Sequence, residues 1–137
     1  MWWIYALLSA FFASLTAIFA KIGITGVNSN LATAIRTIVI LVVAWGIVFW
    51  RDEAKGISTL SKNNVLFLII SGVATGLSWI FYFKALQIGK VSQVAPVDKL
   101  SVALTIVLSI VFLGEALTLK AAIGALLIIA GTLVLIL

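Results

Sequence analysis

The chain has 137 residues, of which 64% are hydrophobic and 9% are charged, and its nine Lys or Arg against four Asp or Glu give a net charge of +5. Soluble domains carry about 25% charged residues, so this composition excludes an ordinary soluble domain and indicates a protein dissolved in lipid. The absence of Cys and His excludes disulfides, thiolate nucleophiles and His-based zinc sites.

The first predicted membrane span covers residues 2–20, which contain no charge. A secretory signal has a basic segment ahead of its apolar core. The α-amine is the only charged group ahead of this core, so we expect the segment to be retained as a helix. Gly23, Gly26 and Asn28 then predict a turn. A second span follows at residues 31–50, with Arg36 near its beginning.

Residues 51–62 hold the only charge cluster and predict an extramembrane loop. The third span is expected at residues 64–83, followed by a turn that contains Gly89 and Lys90. The fourth span is placed at residues 92–114, because its uncharged part alone is too short to cross a bilayer, and this puts Asp98 and Lys99 inside the membrane. Thr118 is a plausible N-cap for a fifth span at residues 118–137.

The sequence therefore predicts an all-α integral membrane protein with five transmembrane helices in a single domain, residues 1–137. An odd number of spans places the two chain ends on opposite sides of the membrane. Loop Lys and Arg residues set orientation, and here they are nearly balanced. Those on the N-terminal side are Arg51, Lys55, Lys62 and Lys120, and those on the other side are Lys21, Lys84 and Lys90. A near tie is compatible with insertion in both orientations.

Four short motifs occur in order along the chain: Phe-Ala-Lys-Ile-Gly at 19–23, Ala-Ile-Arg at 34–36, Tyr-Phe-Lys-Ala-Leu-Gln-Ile-Gly at 82–89 and Leu-Gly-Glu-Ala-Leu-Thr at 113–118. Together they resemble the EamA-type repeat of the drug/metabolite transporter superfamily, over essentially the whole chain. Most members carry two copies, and this chain has one. The resemblance implies a small-molecule carrier but no particular cargo, because Lys84 replaces a usual aromatic residue, Val102 replaces a usual proline, and Asp98-Lys99 is unusual for the family.

A five-helix unit repeated in tandem places its second copy upside down, with the transport site near the midplane. A lone copy supplies half of that arrangement, and two antiparallel chains would restore it. We therefore expect a dual-topology homodimer built on an inverted repeat.

Polar side chains form stripes at helical spacing on three spans. They are Asp98, Ser101, Thr105 and Ser109 on span four, Ser71, Thr75, Ser78 and Tyr82 on span three, and Tyr5, Ser9 and Thr16 on span one. One interpretation is a common cavity. The other is that these hydroxyls bond to carbonyls of their own helix or hold helices together.

Asp98 is the strongest candidate for a functional residue, since a carboxylate so far inside a span must face protein or water. It is expected to bind a substrate cation or a proton, or else to form a structural ion pair with Lys99, Arg36 or Lys21. Lys99 is the least expected partner, because adjacent residues on a helix do not face each other. Pro96 removes one amide donor and predicts a kink or a free carbonyl nearby.

Two further groups of side chains are candidates for the substrate site, one basic and one aromatic. If Lys21, Arg36 and Lys99 turn inward, the cavity favours anions, whereas a dominant Asp98 favours cations or protons. Trp79 and Tyr82 either stack on a ligand or anchor the span at the membrane interface. Glu115 is expected to cap the fifth span, whose Gly124 and Gly131, like Gly72 and Gly76 of span three, suggest close helix packing.

No constellation for catalysis, nucleotide binding or metal binding is present, and no cofactor is expected. We predict a secondary transporter of small metabolites or drug-like molecules that works by alternating access, with export as the expected direction. The expected location is the inner membrane of a prokaryote, and the expected partners are lipid, a small-molecule substrate and a second copy of the chain, with no nucleic acid. The alternatives are a non-transporting membrane assembly subunit or one half of a heterodimeric transporter.

Overall fold

The computed structural model describes all residues, Met1–Leu137, and contains helices and no strands. Five segments are long and apolar enough to cross a membrane, and the fourth of these, Val91–Leu113, consists of two consecutive helices. The predicted all-α fold with five spans is therefore confirmed. The helices are α1 (Trp2–Gly23), α2 (Ser29–Trp50), a 3₁₀ helix (Glu53–Thr59), α3 (Lys62–Ile88), α4 (Val91–Asp98), α5 (Leu100–Leu113) and α6 (Leu119–Ile136).

Side-chain caps define where two of these helices begin. The Asn28 Oδ1 accepts hydrogen bonds from the backbone N–H groups of Asn30 and Leu31 at the start of α2, at 2.9 and 3.4 Å. The Thr118 hydroxyl accepts from the Ala121 N–H at 3.1 Å, which confirms the predicted cap of α6. Glu115 does not cap this helix, because the Thr118 hydroxyl adjoins the first turn and takes that position.

Gly114 ends α5 in a left-handed conformation with φ of 67°. This region favours glycine, since a Cβ atom there would crowd the backbone. The Glu115 N–H donates back to the Ser109 carbonyl at 3.3 Å. The Leu-Gly-Glu motif of the sequence therefore marks a helix end at Gly114.

The third membrane span is longer than expected. The predicted end was residue 83, whereas α3 continues to Ile88 and leaves only Gly89 and Lys90 between it and α4. The additional turn carries Leu86, which together with Phe83 is one of two large side chains that are fully buried. Burial of this face stabilises helical structure beyond the point where the charge of Lys84 suggested a turn.

The charged segment between α2 and α3 is a folded element with its own ion pairs. Arg51 Nε lies 3.1 Å from Glu53 Oε1, and the Lys55 ammonium contacts the Asp52 carboxylate. Asp52 has φ of 55° and directly precedes the 3₁₀ helix. Both acidic residues of this segment are therefore already partnered.

The chain divides into two compact units. One unit is Ala20–Gln87, which holds the last turn of α1, all of α2, the 3₁₀ helix and nearly all of α3. The other unit is Met1–Phe19 with Ile88–Leu137, and within it α6 packs against both α4 and α5.

Most large apolar side chains are exposed, including Trp50, Phe81 and Phe112 at 87%, 71% and 78%. Such exposure fits helices that present their apolar faces to lipid. The glycine pairs do not mark close contacts inside the chain, because a Cβ atom at Gly72, Gly76, Gly124 or Gly131 would meet nothing within 4 Å. The expectation of close packing at these glycines is thus wrong for the single chain.

Candidate substrate-binding site

Arg36 of α2 lies against two aromatic rings of α3. Its guanidinium carbon is 4.5 Å from the centre of the Trp79 ring and 5.1 Å from the centre of the Phe83 ring. Trp79 and Phe83 are four residues apart and therefore share one face of the helix. A cation within about 6 Å of an aromatic ring is attracted by the ring quadrupole, so both rings stabilise the guanidinium.

The guanidinium of Arg36 is held well inside the span. Arg36 lies about two turns into α2, or roughly 10 Å along its axis, and Trp79 lies roughly 13 Å before the end of α3. The side chain therefore reaches across to α3. Tyr82, one turn after Trp79, lies close enough to Arg36 to interact with it electrostatically.

Two hydrogen bonds connect the end of α3 to the last turn of α1 and to the turn that follows it. The Lys21 ammonium donates to the Leu86 carbonyl, and Gln87 Nε2 donates to the Val27 carbonyl at 2.7 Å. The Leu86 carbonyl lies in the last turn of α3, where carbonyls lack partners within the helix, and the Val27 carbonyl lies in the turn before α2. Lys21 was expected to contribute to substrate binding. In the structure its ammonium instead has a structural partner, the Leu86 carbonyl.

Asp98 forms an ion pair with its neighbour Lys99, with Lys99 Nζ 3.2 Å from Asp98 Oδ2. The expectation that Lys99 would be the least suitable partner is wrong, because it assumed a continuous helix. α4 ends at Asp98 and α5 begins at Leu100. At this break the long Lys99 side chain folds back to the carboxylate. Asp98 is 34% exposed and Lys99 is 59% exposed at the side chain.

The interruption at Lys99 follows Pro96 by one turn. The Lys99 N–H donates to the Ala95 and Pro96 carbonyls at 3.3 and 3.0 Å, and the Val102 N–H donates to the Lys99 carbonyl at 3.0 Å. The buried Thr132 of α6 also donates its hydroxyl to the Pro96 carbonyl, at 3.3 Å. The break is therefore held by a side chain from a neighbouring helix.

Hydroxyls of the polar stripes bond to their own helices. Thr105 donates to the Ser101 carbonyl at 2.8 Å, and Ser109 donates to the Ile106 carbonyl at 3.0 Å. On α3, Thr75 donates to the Ser71 carbonyl at 2.9 Å. These bonds match the local interpretation of the stripes, although each hydroxyl oxygen keeps acceptor capacity. A shallow open groove of about 230 Å³ is lined by Thr105, Leu108, Ser109, Phe112 and Leu113.

The site residues suggested by the sequence thus fall into two groups. Arg36, Trp79, Tyr82 and Lys21 belong to the unit Ala20–Gln87, and Pro96, Asp98, Lys99, Ser101 and Thr105 belong to the other. The acidic residues form no cluster suited to a metal ion.

Three contributors were missed by the sequence reasoning, namely Phe83, Gln87 and Thr132. The spacing of Phe83 from Trp79 was a usable signal, since the two share a helix face. The bonds of Gln87 and Thr132 had no comparable signal, because they join residues that are far apart in sequence.

Comparisons with known proteins agree with this architecture. The model of the EamA-like transporter family matches residues 1–137. A Sinorhizobium protein named an uncharacterized transporter in the cobO 3′ region is 47% identical over 134 residues, covering 98% of this chain and 95% of that protein. An uncharacterized protein of Methanocaldococcus jannaschii is 38% identical over 81 residues, covering 59% of each chain.

No solved structure matches the chain. The family match and the Sinorhizobium relative support a membrane transporter and point away from an enzyme. With five apolar spans, they make this a multi-pass membrane protein. The chain belongs to the EamA-like transporter family.

Proposed function

We propose that this chain is a secondary transporter that exports a small metabolite by alternating access, as an antiparallel dual-topology homodimer in the inner membrane of a prokaryote. The observation that carries the proposal is one of length. The family model matches the whole five-span chain, and the match with the Sinorhizobium relative covers 95% of that protein, so the relative is also about one repeat long.

A single repeat explains why a second copy is needed. Transporters built from inverted repeats bind substrate near the midplane at the repeat interface, and alternate access by moving one repeat against the other. One five-span unit provides one side of such an interface. Two copies inserted in opposite orientations provide both sides, with a two-fold axis in the membrane plane.

The fourth span supports a transport role through its interruption. The break at Lys99 lies roughly 12 Å into the span that begins at Val91. Interrupted helices at such depths form the ion and substrate sites of many transporters, and here the interruption is confined to Lys99, which keeps a right-handed helical conformation. We propose that the break places Asp98 on the transport path, where the carboxylate carries a proton or contacts substrate.

Loop charges support the dual topology. The Lys and Arg residues on the two sides of the membrane are nearly equal in number by sequence, and the bias of loop Lys and Arg residues sets orientation. A chain without a clear bias inserts both ways.

Paired cysteine labelling tests this topology directly, because the chain contains no native Cys. Ser58→Cys places a thiol on the exposed 3₁₀ helix, and Thr25→Cys places one in the exposed turn between α1 and α2, one span away along the chain. In intact cells, a membrane-impermeant thiol reagent should label about half of each variant and reach the rest only after permeabilisation.

A chain with one fixed orientation gives a different result. One variant would then be labelled completely and the other not at all, and the homodimer with dual topology would be wrong. A sister chain of opposite orientation, copurifying with this one, would then be the required partner.

A further inference from the structure

We propose that Arg36, held by Trp79 and Phe83, binds the anionic group of the transported molecule, so that the substrate is a small organic anion. This inference rests on the proposed transport function and adds the substrate class. Its structural basis is a cation inside the membrane that has aromatic neighbours and no counter-charge.

The four acidic residues of the chain leave Arg36 without a carboxylate partner. Asp52 and Glu53 pair with Lys55 and Arg51 outside the spans. Asp98 pairs with Lys99. The remaining acid, Glu115, lies in the connection between α5 and α6 and forms no ion pair. The Arg36 guanidinium accordingly takes part in no ion pair and donates no hydrogen bond to another group of the chain.

The surroundings of Arg36 differ from those of Lys21, the other basic residue with a partner on α3. Lys21 donates to a backbone carbonyl and so has an acceptor for its ammonium. The Arg36 guanidinium instead faces the rings of Trp79 and Phe83, with Tyr82 nearby. A guanidinium carries five N–H donors, and aromatic rings offer attraction to a cation but no proper acceptor for those donors.

Charge at this depth is costly unless it is compensated, and intramembrane ionisable residues therefore mark functional sites and have partners. The missing partner must supply negative charge and hydrogen-bond acceptors together. Carboxylate and phosphate groups do both, and they match the guanidinium fork with two parallel hydrogen bonds. Trp79 is only half-buried, so its ring also offers apolar surface to the remainder of such a molecule.

Two sources can provide this chemistry, namely a water-soluble substrate or the phosphate of a lipid headgroup. We assign the site to a soluble substrate, because Arg36 lies roughly 10 Å along α2 and its guanidinium is held against Trp79, roughly 13 Å before the end of α3.

Binding of benzoate to the purified protein in dodecyl maltoside, a detergent without phosphate, tests the proposal by calorimetry. Benzoate offers a carboxylate and an aromatic ring, and benzamide is its neutral control. The intact protein should bind benzoate and not benzamide. Arg36→Gln should weaken benzoate binding at least tenfold. Arg51→Gln, which removes an exposed guanidinium outside the spans, should leave it unchanged.

A second variant covers the case in which Arg36→Gln fails to fold. Arg36→Lys keeps the charge and loses the fork, so it should fold and bind benzoate several-fold more weakly. The proposal is overturned if the intact protein does not bind benzoate, if benzamide binds equally well, or if the folded Arg36 variants bind benzoate like the original protein.

Native mass spectrometry of the same samples identifies a lipid source. If phospholipid is retained by the intact protein, lost in Arg36→Gln and not displaced by benzoate, the anion is a headgroup and the assignment to substrate is wrong. Displacement of lipid by benzoate, or no retained lipid, supports a soluble anion.

This binding assay requires neither flux nor a dimer, so the two proposals can fail separately. If benzoate binds at Arg36 and cysteine labelling shows one fixed orientation, the proposed anion site stands and the proposed dual-topology homodimer is wrong. Flux of amines through the intact protein, combined with no benzoate binding by the intact protein, would remove the anion site and leave the transporter.

Discussion

Phe81 and Phe83 are two residues apart on α3 and have opposite surroundings. Phe83 is 2% exposed and contacts the Arg36 guanidinium, whereas Phe81 is 71% exposed. In a membrane, lipid tails solvate an apolar ring about as well as protein does, so packing complementarity decides which ring matters. Phe83 is therefore expected to contribute to stability and Phe81 to be replaceable.

Phe83→Ala should lower the free energy of unfolding by about 3 kcal/mol, through the cavity and the lost packing. Phe81→Ala is the matched control on the same helix and should change it by less than ~0.5 kcal/mol. Unfolding of the detergent-solubilised protein with increasing sodium dodecyl sulfate provides the measurement. Equal losses in the two variants would show that α3 does not bury the face observed here.

Residue identities gave an incomplete account of the candidate site. Arg36, Trp79 and Asp98 were recognisable from the sequence, because ionisable and amphipathic side chains are conspicuous in apolar runs. Their partners were not. The Arg36 contact with α3 and the Lys99 contact with Asp98 depend on how helices pack and break, which hydropathy does not report.

The fourth span shows a feature that its residues alone did not predict, namely its division into two helices. Its length and hydropathy predicted a single helix, whereas α4 and α5 are separated at Lys99. Proline three residues earlier removes an amide donor, and Thr132 of α6 donates to the Pro96 carbonyl. The span ends were likewise approximate, since the burial of Leu86 extends α3 past the charged Lys84.

Thr132→Val removes this hydrogen bond with almost no change in volume. Interhelical hydrogen bonds in membranes contribute about 0.6 kcal/mol on average, and the Pro96 carbonyl keeps its bond from the Lys99 N–H. A loss of roughly 0.5–1 kcal/mol is therefore expected in the same unfolding assay.

Thr75→Val serves as the control for this change, because the Thr75 hydroxyl bonds only within its own helix. It should leave stability nearly unchanged. If both variants lose the same free energy of unfolding, the loss comes from replacing any helical threonine. The hydrogen bond between α6 and α4 would then not contribute to stability.

The whole molecule has five spans, and their number followed from hydropathy because a bilayer fixes the length of a crossing helix. The family could be recognised from short motifs, and the family model confirms it over the full chain. The arrangement of two copies is a property of the assembly. It stays a proposal that topology and flux measurements address.

Flux through proteoliposomes tests the role of Asp98 at this scale. With a pH gradient and a panel of labelled carboxylates, phosphates and amines, Asp98→Asn should reduce proton-driven flux at least tenfold, because an amide cannot release a proton. Glu53→Gln, in the extramembrane segment, should transport normally. Normal flux in Asp98→Asn would assign the carboxylate to its ion pair with Lys99 alone.

The hydrogen bonds of Lys21 and Gln87 also constrain how the chain is made. They join the end of α3 to the last turn of α1 and to the turn that follows it, so they cannot form until three helices have left the ribosome and entered the bilayer. Before that moment the early helices lack these ties. Until then, α1 and α2 must stay in the bilayer by virtue of their own apolar length alone.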